Sequence, residues 1–184
     1  MSSRLQFPLH PAQREVYVDQ LLHMDSSQYN IGAYVILKGD LDVEKLHATI
    51  GSLPQVFDAF KMRFDLNSAD LVYQLDRDFN EAELIEADFS NQTDPQAEAK
   101  VWIRHIFSTP FKLAGDVAPF EHYLVKIAEN EHWLLLKYHH LIIDGYGFIV
   151  SIRYLSEKYR SLITGGPLIL NAPSYCWGLY YLCT

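Results

Sequence analysis

Two adjacent histidines, His139 and His140, followed by Leu141-Ile142-Ile143 and then Asp144-Gly145, are the residues of this chain best suited to chemistry. An imidazole with an ordinary pKa of about 6.5 can take or give a proton at neutral pH. An aspartate four positions after the second histidine can orient the loop or neutralise a cation. This spacing points to acid–base chemistry. Histidine and aspartate also ligate zinc, but adjacent histidines on a strand point to opposite faces and cannot both reach one ion. No Cys or His pair elsewhere offers the missing ligands at a local spacing, so no metal is expected.

The motif needs a rigid base. The apolar run Trp133-Leu134-Leu135-Leu136-Lys137-Tyr138 reads as a buried strand that delivers the histidines to its end, next to a glycine-bearing turn. Residues 120–128 pair with it as a hairpin around Glu129-Asn130-Glu131. Beyond the motif, Ile149, Ile152, Leu155, Tyr159 and Leu162 predict a helix over about residues 148–162.

Upstream, Pro11 opens a helix over residues 12–23, with Val16, Leu21 and Leu22 as apolar positions. Residues 33–37 are β-branched and aromatic, a buried strand. Asp42 caps a helix carrying Val43, Leu46, Ile50 and Leu53 that stops before Pro54. Residues 62–64, 71–75 and 84–89 read as strands, with Asn67 and Ser68 turning the chain between the first two. Asp94-Pro95 starts a helix to about residue 107, with Trp102, Ile103 and Ile106 on one side. The alternation is mixed α/β.

Apolar residues make up 49% of the 184 positions and charged residues 21%, enough for one domain with a packed core and against disorder. The net charge of −8 argues against nucleic acid, whose phosphates need a basic face. No secretory start is visible, and Cys176 and Cys183 give no disulfide framework, so a cytoplasmic location is expected. None of the 15 basic and 23 acidic residues falls after Arg160. That uncharged, aromatic tail reads as a buried end, or as a chain cut or misread partway through a larger domain. It is not expected to cross a membrane, because Gly165-Gly166-Pro167 and Asn171-Ala172-Pro173 interrupt it.

The run from Tyr138 to Gly147 resembles the His-His-x-x-x-Asp-Gly core motif of condensation domains of nonribosomal peptide synthetases. Two further segments match in order. Residues 9–17 are similar to the opening Ser-x-Ala-Gln-x-x-x-Trp/Tyr segment, with His10 in place of the serine. Residues 56–64 are similar to Arg-His-Glu-x-Leu-Arg-Thr-x-Phe, with Val56, Phe57 and Lys61 replacing the first Arg, the His and the second Arg. Within the family, Met62-Arg63-Phe64, residues 88–94 and residues 138–148 look most like the first condensation domain of enterobactin-type siderophore synthetases, which implies an aryl or acyl donor on a separate carrier protein.

The resemblance implies an α/β fold: a chloramphenicol-acetyltransferase-like lobe with a mixed sheet flanked by helices, half of a two-lobe condensation domain. Residues 1–166 would be the amino-terminal lobe and residues 167–184 a tail outside the family pattern. The implied reaction is amide formation by acyl transfer from a carrier-bound thioester to a carrier-bound amine. Its partners are donor and acceptor carrier proteins and the missing carboxy-terminal lobe. No cofactor is bound directly, since the partners' phosphopantetheine arms carry the substrates.

By position His140 is the active-site residue, acting as base or holding the amine and the tetrahedral intermediate. His139 is structural, and Gly145 keeps the turn open so that its N–H can approach the developing oxyanion. Asp144 is expected to pair with a cation of the same lobe. The matching segment offers Lys61 and Arg63, and the forked guanidinium favours Arg63. Half a tunnel should be inactive alone. The alternatives are a non-catalytic carrier-binding module and a standalone acyltransferase of the chloramphenicol-acetyltransferase type.

Overall fold

The computed structural model describes residues 5–65, 71–79, 81–113 and 117–169. The turn assigned to Asn67 and Ser68 and the tail beyond residue 169 lie outside them. In order, the elements are β1 (Leu5–Pro8), α1 (Pro11–Leu22), β2 (Asn30–Lys38), α2 (Val43–Gly51), α3 (Leu53–Val56), a 3-10 turn (Asp58–Lys61), β3 (Met62–Arg63), β4 (Val72–Leu75), β5 (Ile85–Asp88), α4 (Pro95–Ser108), β6 (Phe120–Ala128), β7 (Glu131–His139) and α5 (Gly145–Thr164).

The main sheet runs β2-β7-β6-β5 and is mixed: β2 and β6 flank β7 antiparallel, while β5 joins β6 in parallel. That parallel pair requires a crossover, and α4 supplies it. A smaller antiparallel sheet, β1-β4-β3, packs into the core beneath α1 through Tyr73, Leu75 and Met62.

Alternation along β6 and β7 sends side chains to two separate cores. Trp133, Leu135, Tyr123, Val125 and Ile127 meet Ala99 and Ile103 of α4. Leu134, Leu136, Tyr138 and Leu124 meet Leu46, Ile50, Tyr154 and Leu155 of α2 and α5. A strand covered on both faces has no polar side to show, which is why β7 reads as a continuous apolar run. Gly32 in β2 is required by close approach: a Cβ there would stand 2.0 Å from the Leu136 carbonyl oxygen. Among the described residues no helix is long and apolar enough to cross a membrane.

Four expectations change in detail. Residues 33–37, expected as a buried strand, belong to β2 at the edge of the described sheet, where Tyr34, Val35 and Ile36 are exposed. The helix capped by Asp42 stops before Pro54, but already at Gly51, so Leu53 opens α3 with Pro54 in its first turn, where its missing N–H would be unpaired anyway. The last helix begins at Gly145, ahead of the apolar pattern, because Asp144 caps it. The covered face of α1 is Gln13, Tyr17 and Gln20, whereas Leu22, one of the apolar positions named for this helix, is 74% exposed.

Candidate active site

The strand β7 ends at His139, and the next five residues turn into α5. Leu141, Ile142 and Ile143 are buried and plug this turn into the core, so the polar residues on either side are held by packing. His140 is exposed at the strand's end, with its N–H donating to the Tyr29 carbonyl at 2.9 Å. Around it Gly145 and Tyr146 are also exposed, and a Cβ on Gly145 would meet nothing within 4 Å. The backbone of Gly145 is not left-handed, so what the missing side chain secures is open space beside the helix end.

His139 faces the other way and is 1% exposed. Its Nδ1 accepts the Leu141 N–H at 3.1 Å, so the neutral ring carries its proton on Nε2, which lies 3.1 Å from the Gln20 Oε1. Burial first, then the neighbouring His140 and Lys137, push its pKa down to about 3. Both ring nitrogens are occupied and the ring stays neutral, so His139 neither ligates a metal nor exchanges protons near neutral pH. Among the described residues no group of three His, Cys, Asp or Glu side chains is placed to hold a metal ion.

Asp144 does not pair with Arg63 or Lys61. Its Oδ1 accepts the Gly147 N–H at 2.7 Å and its carbonyl accepts from Phe148, the arrangement of a helix N-cap. A carboxylate one residue ahead of a helix finds unpaired N–H groups next door and has no need of a distant cation. Arg63 is buried; it donates to the Phe60 and Met62 carbonyls at 3.1 and 2.9 Å and lies 4.4 Å from the centre of the Phe79 ring. Lys61 stands 3.8 Å from Asp58. Of the six residues singled out in the sequence, the structure brings together His139, His140, Asp144 and Gly145, while Arg63 and Lys61 serve their own segment.

Residues that the motif did not reveal complete the site from α1. The Gln13 Nε2 donates to the Leu141 carbonyl at 2.8 Å, and its Oε1 accepts the His10 N–H at 3.2 Å. His10, standing in the serine's place, accepts the Ala12 N–H through its ring and so keeps the cap. One glutamine therefore joins the start of α1 to the histidine turn, 128 residues away in sequence. Gln13 and Tyr17 do fall on the Gln and Trp/Tyr of the opening segment, but for Gln20 the sequence signal was the spacing Gln13, Tyr17, Gln20, a helical face that apolar periodicity cannot detect.

Lys137, 1% exposed, is the other buried charge nearby. Its Nζ meets the Glu121 Oε2 at 3.0 Å and stands 4.3 Å from the centre of the Phe111 ring. Tyr123 donates to the same carboxylate oxygen at 3.1 Å, and burial first, then the Glu121 charge and this bond, push its pKa up to about 12.

Comparison with known proteins supplies the family. The model of the Condensation domain matches residues 4–176. Surfactin synthase subunit 1 of Bacillus subtilis is 33% identical over 154 residues, covering 83% of this chain and 4% of that protein. Enterobactin synthase component F of Escherichia coli K12 is 27% identical over 162 residues, covering 87% of this chain and 12% of that one. A variant of the starter condensation domain of rhizomide synthetase, solved in complex with C8-CoA and Leu-SNAC, superposes with a TM-score of 0.79 at 27% identity, over 90% of this chain and 37% of that structure. The chain thus spans a small part of its curated relatives and under half of that solved domain.

Proposed function

The chain belongs to the condensation-domain family, and from that premise we propose that it is the histidine-bearing lobe of an enzyme that forms amide bonds in nonribosomal peptide synthesis. The observation that carries this reading is the division of labour at the end of β7. One histidine is locked and neutral inside, and the next stands free at the surface beside a capped helix terminus. The starter domain solved with C8-CoA and Leu-SNAC supports an acyl donor meeting an aminoacyl acceptor.

In this reaction the acceptor amine attacks the donor thioester carbon, a C–N bond forms, the C–S bond breaks, and the carrier thiol leaves. His140 takes the ammonium proton and returns it to the departing thiolate, or holds the amine on its path. The Gly145 N–H, at the positive end of α5, is available to the oxyanion of the tetrahedral intermediate. No cofactor is held by the lobe; phosphopantetheine arms of two carrier proteins bring the substrates. A facing carboxy-terminal lobe closes the site, and the 184-residue chain alone is inactive because only one wall is present.

Mass spectrometry of loaded donor and acceptor carriers tests this. The chain by itself gives no amide; supplied with a carboxy-terminal lobe it gives product, and His140→Ala lowers the rate at least about 100-fold. Product from the isolated chain would overturn the half-site reading. Undiminished product from His140→Ala in the two-lobe enzyme would overturn the role of His140.

A further inference from the structure

Helix α1 lies against the histidine turn with a face that is covered yet polar: Gln13 is 5% exposed and Gln20 2%. The two are seven residues apart, about two turns, so both amides leave the same side of the helix. A buried amide is retained only where its donors and acceptors are used. Gln20 Nε2 donates to the His23 carbonyl at 2.8 Å and lies 3.3 Å from the Ser26 carbonyl, which fixes the amide's orientation and leaves Oε1 facing His139. The ring passes the constraint on, because its Nδ1 accepts the Leu141 N–H. Gln13 holds the carbonyl of that same residue. His140 is thus carried by peptides restrained on both sides.

We infer that Gln20 is a positioning residue for His140: its amide oxygen selects the Nε2–H form of His139, and that ring fixes the peptide on which His140 stands. The inference rests on His140 being the reactive residue. An amide suits this post and a carboxylate does not, since it accepts the ring proton without favouring a second one. The groups facing His139 are few. They are the Gln20 amide from α1, Lys137 (already paired with Glu121) and His140 from its own strand and turn, and the rings of Tyr29 and Phe111, each 6.0 Å away. Substituting Glu at position 20 would place a carboxylate beside Nε2 and favour a second proton on the ring next to His140.

Nitrogen-15 NMR of the histidine rings in the 184-residue chain reads this directly. In the unaltered chain His139 is expected as a single Nε2–H form that does not titrate between about pH 5 and 8. Gln20→Glu brings a His139 titration into that window, and the His140 ring signals follow the same midpoint. Gln20→Leu mixes the two ring forms and shifts the His140 signals while the amide spectrum elsewhere stays put. An Nδ1–H form in the unaltered chain, a silent His139 in Gln20→Glu, or unmoved His139 and His140 signals in Gln20→Leu would overturn the inference. Should one variant not fold, the other variant and the ring form of the unaltered chain still test the inference. In the two-lobe enzyme, Gln20→Leu should lower kcat about 10- to 100-fold with KM nearly unchanged. Full activity of His140→Ala there would sink the functional reading while the ring linkage stood.

Discussion

Helices α1 and α5 both hold the histidine turn, and they do it by opposite means. The inward face of α5 is Ser151, Tyr154 and Leu155, packed with α2 and the sheet, and its end is capped by Asp144. The inward face of α1 is two amides around a tyrosine, each amide aimed at one atom of the turn. Apolar packing is non-directional and secures where the turn sits. Hydrogen bonds have geometry, and they secure which way its rings and peptides point. The difference teaches that position and orientation at this site are supplied by separate elements.

Burial, and then the Lys126 charge, lower the pKa of His132 in β7. Each face of the sheet also buries one histidine that is perturbed more strongly, so acid should weaken both sides at once. On the α5 side His122 is held down to about 4 by burial, and on the α1 side His139 to about 3. The folded values lie below the unfolded one, so on acidification the unfolded chain binds protons first. Stability is full above about pH 6.5 and is lost as pH falls towards 4 and 3. Between about pH 6.5 and 4.5 each histidine should contribute a loss of about 2 kcal/mol, seen as a falling urea midpoint. His122→Phe sharpens the comparison: its Nε2 has no partner, its Nδ1 has only a 3.3 Å bond with the Glu83 carbonyl, and its neighbours are Phe60, Phe120 and Tyr138, so this variant should flatten the slope at a small cost at neutral pH. The same change at His139 should be costly, since the Gln20 oxygen and the Leu141 N–H both lose their partner.

Leu155→Ala tests α5 as a packing element and should destabilise by about 3 kcal/mol in urea unfolding. Gln13→Leu tests α1 as a bonding element; it strips the buried Leu141 carbonyl and should cost about 2 kcal/mol despite adding apolar surface. A stabilised Gln13→Leu chain would erase the contrast between the helices.

Asp144 gives the smallest effects and separates a cap from a buried ion pair. Asp144→Ala should cost about 1 kcal/mol, and Asp144→Asn only a few tenths, because asparagine caps as well. A loss of about 3 kcal/mol or more in Asp144→Asn would instead signal an ion pair such as the one first expected with Arg63. Calorimetry or urea unfolding of the two variants decides.

What the sequence determined by itself was whatever depends on short stretches. The hairpin of β6 and β7, the mixed alternation and the His140 surface position follow from runs of apolar residues, a short turn and the two-residue period of a strand. The three ordered segments likewise carry the family resemblance in the sequence alone. The burial of the α1 amides could not be read from periodicity, because polar residues score as outward unless a partner is known, and the partners Leu141 and His139 lie more than 100 residues away. Asp144 shows the reverse error: a partner was sought far off, when the unpaired N–H groups of the helix it starts were one turn away. Burial, and with it the neutrality of His139 and the value of each amide, was decided by tertiary structure alone. Desolvation depends on everything packed around an atom, which no local pattern in the chain records.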